Sequence, residues 1–300
     1  MTDDFRIATG TASPRKTDRS KALRQVIDEI ARMIGLDSVK HQLNELIAFA
    51  RVVAIRRDRD LAAPSLSLHM VFSGPPGTGK TVIARKVGQL LNAIGLLKTD
   101  KFVEADRSQL VASYLGQTAK LVKDKVDEAM DGVLFIDEAY TLAGGGGAGQ
   151  AADPFGQEAV DTLLKLMEDR RDRLVVIVAG YTNEMRRFID SNVGLKSRFT
   201  RFIEFDAYSS EDLFRIFALM ADEAQYRLTP EAERLVGKHI DWLRKGADER
   251  FGNARAVRQL FESLLPIQAQ RVAGLRDDLE NLANEDLLTI TADDVRSVTE

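Results

Sequence analysis

Gly74-Pro75-Pro76-Gly77-Thr78-Gly79-Lys80-Thr81 is the stretch that decides the fold. It fits the pattern G-x-x-x-x-G-K-[S/T] in full, and its glycines let backbone N–H groups turn inward around a triphosphate. Lys80 supplies positive charge to the outer phosphates and Thr81 offers a hydroxyl to Mg²⁺. Such a loop works only between a strand and a helix. Both neighbours are there: residues 68–72 form an apolar, strand-like run, and residues 81–91 carry apolar side chains at helical spacing. That helix points its positive N-terminal end at the same anion. Pro76, Gly77, Thr78, Gly79, Lys80, Thr81 and Val82 are therefore the expected phosphate-side contacts.

Working outward, short apolar runs at 102–104, 132–136, 174–179 and 202–205 alternate with helical segments near 119–130, 155–170 and 183–190. Strands alternating with helices predict an α/β core built on a parallel sheet covered on both faces. From residue 209 onward no strand pattern remains, and 209–223, 230–243, 254–274 and 292–298 all read as helices. The expected organisation is a polar, disordered tail over 1–20, a nucleotide-binding core with N-terminal helices over 21–206, and a smaller all-helical domain over 207–300. Residues 144–149 form a glycine run, which reads either as a substrate-contacting loop or as a surface excursion.

The run Val133-Leu134-Phe135-Ile136 ends in Asp137-Glu138. Strand C-termini of a parallel sheet open on the edge that holds the phosphate loop, so Asp137 is placed to reach Mg²⁺. Glu138, one residue on, is placed to polarise a water against the γ-phosphate. Read alone, two acids after a strand are commonly a cap or turn. Downstream of a complete phosphate loop the catalytic reading gains.

Composition excludes several other chemistries. The 300 residues contain no cysteine, which removes disulfides, thiolate nucleophiles and Cys-ligated metal centres. The three histidines, His41, His69 and His239, lack the spacing that puts two ligands on one helix face. Lys plus Arg total 42 against 46 acidic residues, and the net charge of −4 offers no overall basic field for nucleic acid. No secretory leader and no apolar run near membrane-spanning length is visible, so a cytoplasmic protein without membrane contact is expected.

With both motifs in hand the chain resembles an AAA+ ATPase, and further segments narrow the resemblance to the CbxX/CfqX-like group. That group includes red-type Rubisco activases, a sporulation ATPase and the cytosolic ATPase of type VII secretion. The stretches that carry the likeness are 68–74, Gly132 to Tyr140 with its Asp-Glu-Ala-Tyr ending, Gly156-Gln157-Glu158-Ala159, and 176–181 leading to 194–199. The resemblance implies ATP and Mg²⁺ as cofactors and a ring, expected to be a hexamer of like or mixed subunits. It also implies site roles: Ile34 and Gly35 beside adenine, Asn183 (with Thr182 as fallback) orienting the attacking water, and Arg255 as a lid arginine over the nucleotide. Arg198 would be the finger that reaches a neighbouring subunit's γ-phosphate, with Arg201 a weaker candidate. Tyr114-Leu115-Gly116 is similar to the loop that grips a client chain in the pore of such rings, although an aromatic packed at a helix start is the alternative.

The function so implied is an ATP-driven protein-remodelling motor, with the red-type Rubisco large subunit as the leading client. Secretion or sporulation assembly stands behind it, and a nucleic-acid motor or loader is the other class, disfavoured by charge. Two departures from the activase pattern stand out. The glycine run replaces the charged or aromatic segment expected after Asp-Glu-Ala-Tyr, and no signature for a sugar-bisphosphate effector is visible.

Overall fold

The computed structural model describes residues 14–62, 67–112, 114, 116–143, 153–248, 251–275 and 282–299. Its centre is a five-stranded parallel sheet in the order β2-β3-β4-β1-β5. The strands are β1 (Met70–Ser73), β2 (Phe102–Ala105), β3 (Val133–Ile136), β4 (Val175–Gly180) and β5 (Arg201–Glu204). β1 sits between β4 and β5, with Met70 in register with Ile177 on one side and Arg201 on the other. Each crossover places β1, β3 and β4 so that their C-terminal ends open on one edge, beside the phosphate loop.

Side chains alternate across the pleat, and the alternation sorts the core into two layers. Met70, Phe72, Val133, Phe135, Val175 and Ile177 point to one face, where they meet α2 (Asp37–Asp58) and α3 (Lys80–Ile94). Val71, Leu134, Ile136, Val176 and Val178 point to the other, where α5 (Thr118–Glu128), α6 (Pro154–Asp169) and α7 (Thr182–Asp190) cover them. A four-residue helix, which we number α4 (Arg107–Leu110), follows β2, and a six-residue helix, α8 (Val193–Arg198), precedes β5.

The first helix differs from expectation. α1 spans Pro14–Arg32, so residues 14–20, assigned to the polar tail, begin a helix instead. Proline at a helix start has the right φ and no N–H to waste, which explains how a polar stretch still nucleates there. Its apolar face reaches the core through Val26 and Ile30, and Glu29 pairs with Lys86 of α3 at 2.5 Å. The rest of the expected tail, 1–13, lies outside the described residues.

The helical domain comprises α9 (Ser210–Glu223), α10 (Pro230–Lys245), α11 (Ala254–Ala273), α12 (Asn284–Leu288) and α13 (Ala292–Thr299). Ser209 and Thr229 cap α9 and α10 by accepting from the N–H groups of Asp212 and Ala232. Against expectation this domain also holds a parallel strand pair, β6 (Arg227–Leu228) with β7 (Thr289–Ile290). Two residues per strand are too few to show an alternation, so the sequence carries no period to read. The pair docks the C-terminal segment, and side chains reinforce it. The buried Gln268 amide donates to Asp286 O and Leu287 O, and Arg271 Nε meets the buried Asp294 carboxylate at 2.8 Å.

Candidate functional site

β1 ends at Ser73, and residues 74–79 wrap round to start α3 at Lys80. Gly74 N–H donates to Gly180 O at 3.1 Å, which fixes the loop to the end of β4. Thr78 is fully buried and its hydroxyl donates to Pro75 O at 2.9 Å, so it supports the loop from below. Lys80 Nζ donates to Gly74 O at 2.8 Å and Pro75 O at 2.7 Å. Burial pulls its pKa down from the ordinary 10.5 to about 8; Asp137 opposes that shift, nearby Arg255 adds to it, and Glu138 opposes it weakly.

These groups open into a cleft of about 260 Å³. Its walls are the loop residues 76–82, Asp137 and Glu138 from the end of β3, Gly180 and Tyr181 from the end of β4, and Met220, Ala254, Arg255 and Arg258 from the helical domain. Asp137 is anchored by its N–H to Ala105 O at 3.0 Å, and its carboxylate accepts from Glu138 N–H at 3.0 Å. Glu138 sits at φ +47°, a left-handed conformation that costs a residue with a side chain on the order of 1–3 kcal/mol. Two bonds offset that cost: Thr141 donates to Glu138 O from its N–H at 2.9 Å and from its hydroxyl at 2.7 Å. Such strain, held by its surroundings, keeps the Glu138 carboxylate exposed to the cleft.

The helical domain is bound to the loop through Asn253, which is fully buried. Its amide donates to Pro76 O at 3.1 Å and its carbonyl accepts from Tyr208 N–H at 3.0 Å. Ala254 N–H donates to Gly77 O at 3.2 Å. Gly77 has φ +68°, and a Cβ there would lie 2.0 Å from Gly252 O, so the two domains meet where only glycine fits.

A divalent metal fits the residues present. Thr81 and Asp137 offer a hydroxyl and a carboxylate on the same cleft, the hard oxygen donors that Mg²⁺ takes alongside phosphate oxygens and water. Among the described residues no cluster of three or more His, Asp or Glu side chains could hold a metal by itself. His69 is buried, accepts from Val176 N–H through Nδ1 at 2.9 Å, and has its pKa pushed down by burial to about 4; it is a neutral core group.

Other sequence-expected residues fall outside the cleft. Gly35 lines a separate recess of about 220 Å³ with Tyr208 and Asp212, where Ile34 precedes it in the chain. Leu36 nevertheless approaches Gly79, so this segment lies alongside the phosphate loop. Asn183 lines a recess behind Gly74 and Pro75, and of the polar residues after β4 it is Tyr181 that reaches the cleft holding Glu138. Arg198 ends α8 away from this chain's own cleft. Its Nη1 donates to Ser197 Oγ at 3.3 Å, its Nε stands 3.8 Å from Glu168 Oε2, and that Nε is buried without a hydrogen-bond partner. Arg201 is engaged elsewhere, its guanidinium 4.9 Å from the Phe49 ring centre. Tyr114 is 72% exposed, which argues against packing at a helix start, and Gly116 has φ +78° in open space. Leu115 and the glycine run 144–149 lie outside the described residues.

Sequence reasoning missed Met220, Tyr181, Arg258 and Asn253. Arg258 follows Arg255 by three residues, one helical turn on the same face of α11, and that spacing was a usable signal. Nothing in the sequence marks Met220 or the buried role of Asn253.

A phosphate loop, an acidic strand end and a helical lid around one cleft, on a sheet of order β2-β3-β4-β1-β5, define an ATP hydrolase of the AAA+ class. Comparison with known proteins agrees. Residues 70–207 match the ATPase family associated with various cellular activities (AAA), and residues 209–300 match its AAA lid domain. The chain is 39% identical to a chloroplastic ribulose bisphosphate carboxylase/oxygenase activase of Cyanidioschyzon merolae, over 91% of each chain. It is 37% identical to stage V sporulation protein K of Bacillus subtilis, over 88% of this chain and 82% of that one. It is 40% identical to the ESX-1 secretion system protein EccA1 of Mycobacterium leprae over 93% of this chain, but spans only about half (49%) of that relative's length. Among solved structures, the FIGL-1 AAA domain superposes with TM-score 0.57 at 19% identity over 96% of this chain and 91% of that one, a likeness of fold. The chain belongs to the AAA ATPase family, in the group that holds the Rubisco activase, CfxQ, sporulation protein K and EccA1 relatives.

Proposed function

We propose that this chain is one subunit of a ring, six-membered as in the resemblance, that uses ATP hydrolysis in the cytoplasm to pull on a client protein. The observation that supports the reading best is the convergence of Lys80, Thr81, Asp137, Glu138 and Arg255 on one cleft. ATP enters with its phosphates against residues 76–82 and its adenine toward Ile34 and Gly35. Lys80 turns from the Gly74 and Pro75 carbonyls to the outer phosphates, and the anion offsets its burial and holds the amine in its charged form. Thr81 and Asp137 would hold Mg²⁺, which would supply positive charge beside the phosphates. Glu138 accepts the proton of the attacking water, and Arg255 reports the γ-phosphate to the lid. Arg198, with its guanidinium only weakly engaged in its own subunit, completes the neighbour's cleft. A finger in trans is worth about 10³–10⁵ in rate, so hydrolysis depends on assembly. Tyr114, Leu115 and Gly116 contact the client, and loss of the γ-phosphate moves them by releasing the lid and finger.

The leading client is the red-type Rubisco large subunit, because the activase relative matches over nearly its whole length while EccA1 matches over half. The net charge of −4 supports a protein client over nucleic acid. Inhibited red-type Rubisco incubated with the protein and ATP should recover carboxylase activity. The Tyr114→Ala variant should still hydrolyse ATP and restore nothing. If the unaltered protein restores no activity and Rubisco leaves its ATPase rate unchanged, the client lies instead with secretion or sporulation assembly.

A further inference from the structure

We propose that Arg107 is a positioning residue for ATP hydrolysis: it clamps the turn that aims Glu138 and ties that turn to α4, the helix leading into the Tyr114 segment. The inference rests on Glu138 as the base of the proposed reaction. Glu138 keeps its left-handed backbone because Thr141 donates twice to its carbonyl. Thr141 is in turn held from outside, since its own carbonyl accepts from Arg107 Nη1 at 2.5 Å. The second arm of the guanidinium, Nη2, bonds the Asp153 carboxylate. Asp153 caps α6 by accepting from Phe155 N–H at 3.1 Å, and Arg107 holds its carboxyl below the usual carboxylate range. Gly156 leaves no play on that side, because a Cβ there would lie 1.8 Å from Leu142 O.

Arg107 therefore spans the short turn after Glu138 and the start of α6 with one planar fork. The same N-terminal end of its helix is tied a second time. Asp106 caps α4 by accepting from Ser108 N–H at 2.8 Å, and the residue before it, Ala105, receives Asp137 N–H. The acidic pair and the base of the Tyr114 segment thus meet at two points, one through backbone and one through Arg107. All of this faces a cleft of about 970 Å³ that shares Asp137 and Glu138 with the nucleotide site but lies on the α4 side of them. The Arg107 side chain is 38% exposed there, so it is a surface strut rather than a core pin, and its loss leaves the fold standing. A lysine reaches one acceptor as a point charge but cannot bridge two in one plane.

The test compares Arg107→Gln, Arg107→Lys and Glu138→Gln, and the double variant of Arg107→Gln with Glu138→Gln, in the full chain under single-turnover and steady-state conditions. Arg107→Gln should lower kcat about ten- to a hundredfold, the scale of a misplaced catalytic group, with KM for ATP within about twofold. Arg107→Lys should recover part of the loss. In the Glu138→Gln background the Arg107 change should cost nothing further, because the group it positions is gone. Amide exchange over α4 should rise in Arg107→Gln. An unchanged kcat, a KM that rises in step with the fall, or an equal loss in both backgrounds overturns the positioning role. Full turnover in Glu138→Gln alone overturns the assignment of Glu138 itself, so the two failures are told apart.

Discussion

On one face of the central sheet the apolar layer does not stop at the core: Met70, Phe72 and Ile177 belong to a cluster that runs through Leu213 and Phe217 of α9 to Val257 and Leu264 of α11 and Val295 of α13. On the other face, the layer beneath α5, α6 and α7 contains no lid residue among the described residues, and it carries α4 before the Tyr114 segment and, through Leu195, the helix that ends in Arg198. The nucleotide cleft lies at the strand ends between them. A lid movement is therefore felt in the shared layer at once, whereas the closed layer hears of it only through the strand ends and the groups bound there. That contrast explains why Glu138, Arg107 and the phosphate loop hold so many bonds across chain segments. They are the contacts through which one face can inform the other.

The largest effect should come from cutting the chemistry while both layers stay whole. Glu138→Gln should lower turnover by about 10²–10⁴ and leave ATP bound, since the carboxylate acts on water and not on the phosphates. Rapid turnover with normal ATP affinity would show that the strand end is not where the two faces are coupled to hydrolysis.

A smaller effect follows from Lys80. Its folded pKa of about 8 lies below the ordinary 10.5, so between those values the unfolded chain holds more protons than the native one. The free protein should gain stability from this group as pH rises through that window, while ATP binding, which needs the charged amine, should weaken. From pH 7.5 to 9.5 the dissociation constant should rise roughly 25-fold, and titration calorimetry should show proton uptake on binding. A flat profile would mean the Lys80 charge is not restored by the ligand.

The smallest and most diagnostic change is Asn253→Ala. It leaves the buried Tyr208 N–H and Pro76 O without partners, at a cost of about 1–3 kcal/mol, or a few degrees in Tm. Amide exchange should rise in α3, α9 and α11 and stay unchanged in α5 and α6. Loosening of both layers together would break the contrast between the faces.

The fold was open to reading because its signals are local and periodic. A phosphate loop, four more apolar strand runs and intervening helices each declare themselves within a dozen residues, and β1 to β5 fall within a few residues of expectation. The short α4, α8 and α12 escaped because four to six residues make less than two helical turns, and the β6–β7 pair because two residues per strand show no run or alternation. Within the site, residues whose role is contact with phosphate are set by a motif and can be named from it. Residues whose role is contact with another domain, such as Asn253 and Met220, or with a distant turn, such as Arg107, depend on partners far along the chain. Arg107 and Thr141 are 34 positions apart, and no pattern in the sequence connects them.

Gly77 gives the phosphate loop one more consequence. In the motif it occupies a position where any residue is permitted, so a comparison of loops by pattern would treat it as free. Here the space for a side chain is filled by Gly252 of the other domain, and the tolerance of the position is set by a neighbour some 175 residues away. Variation at this letter is a gauge of the domain seam as well as of the nucleotide: a side chain there would meet the Gly252 carbonyl, a main-chain atom that no substitution at 252 can remove, so it would be accommodated only by prising the halves apart.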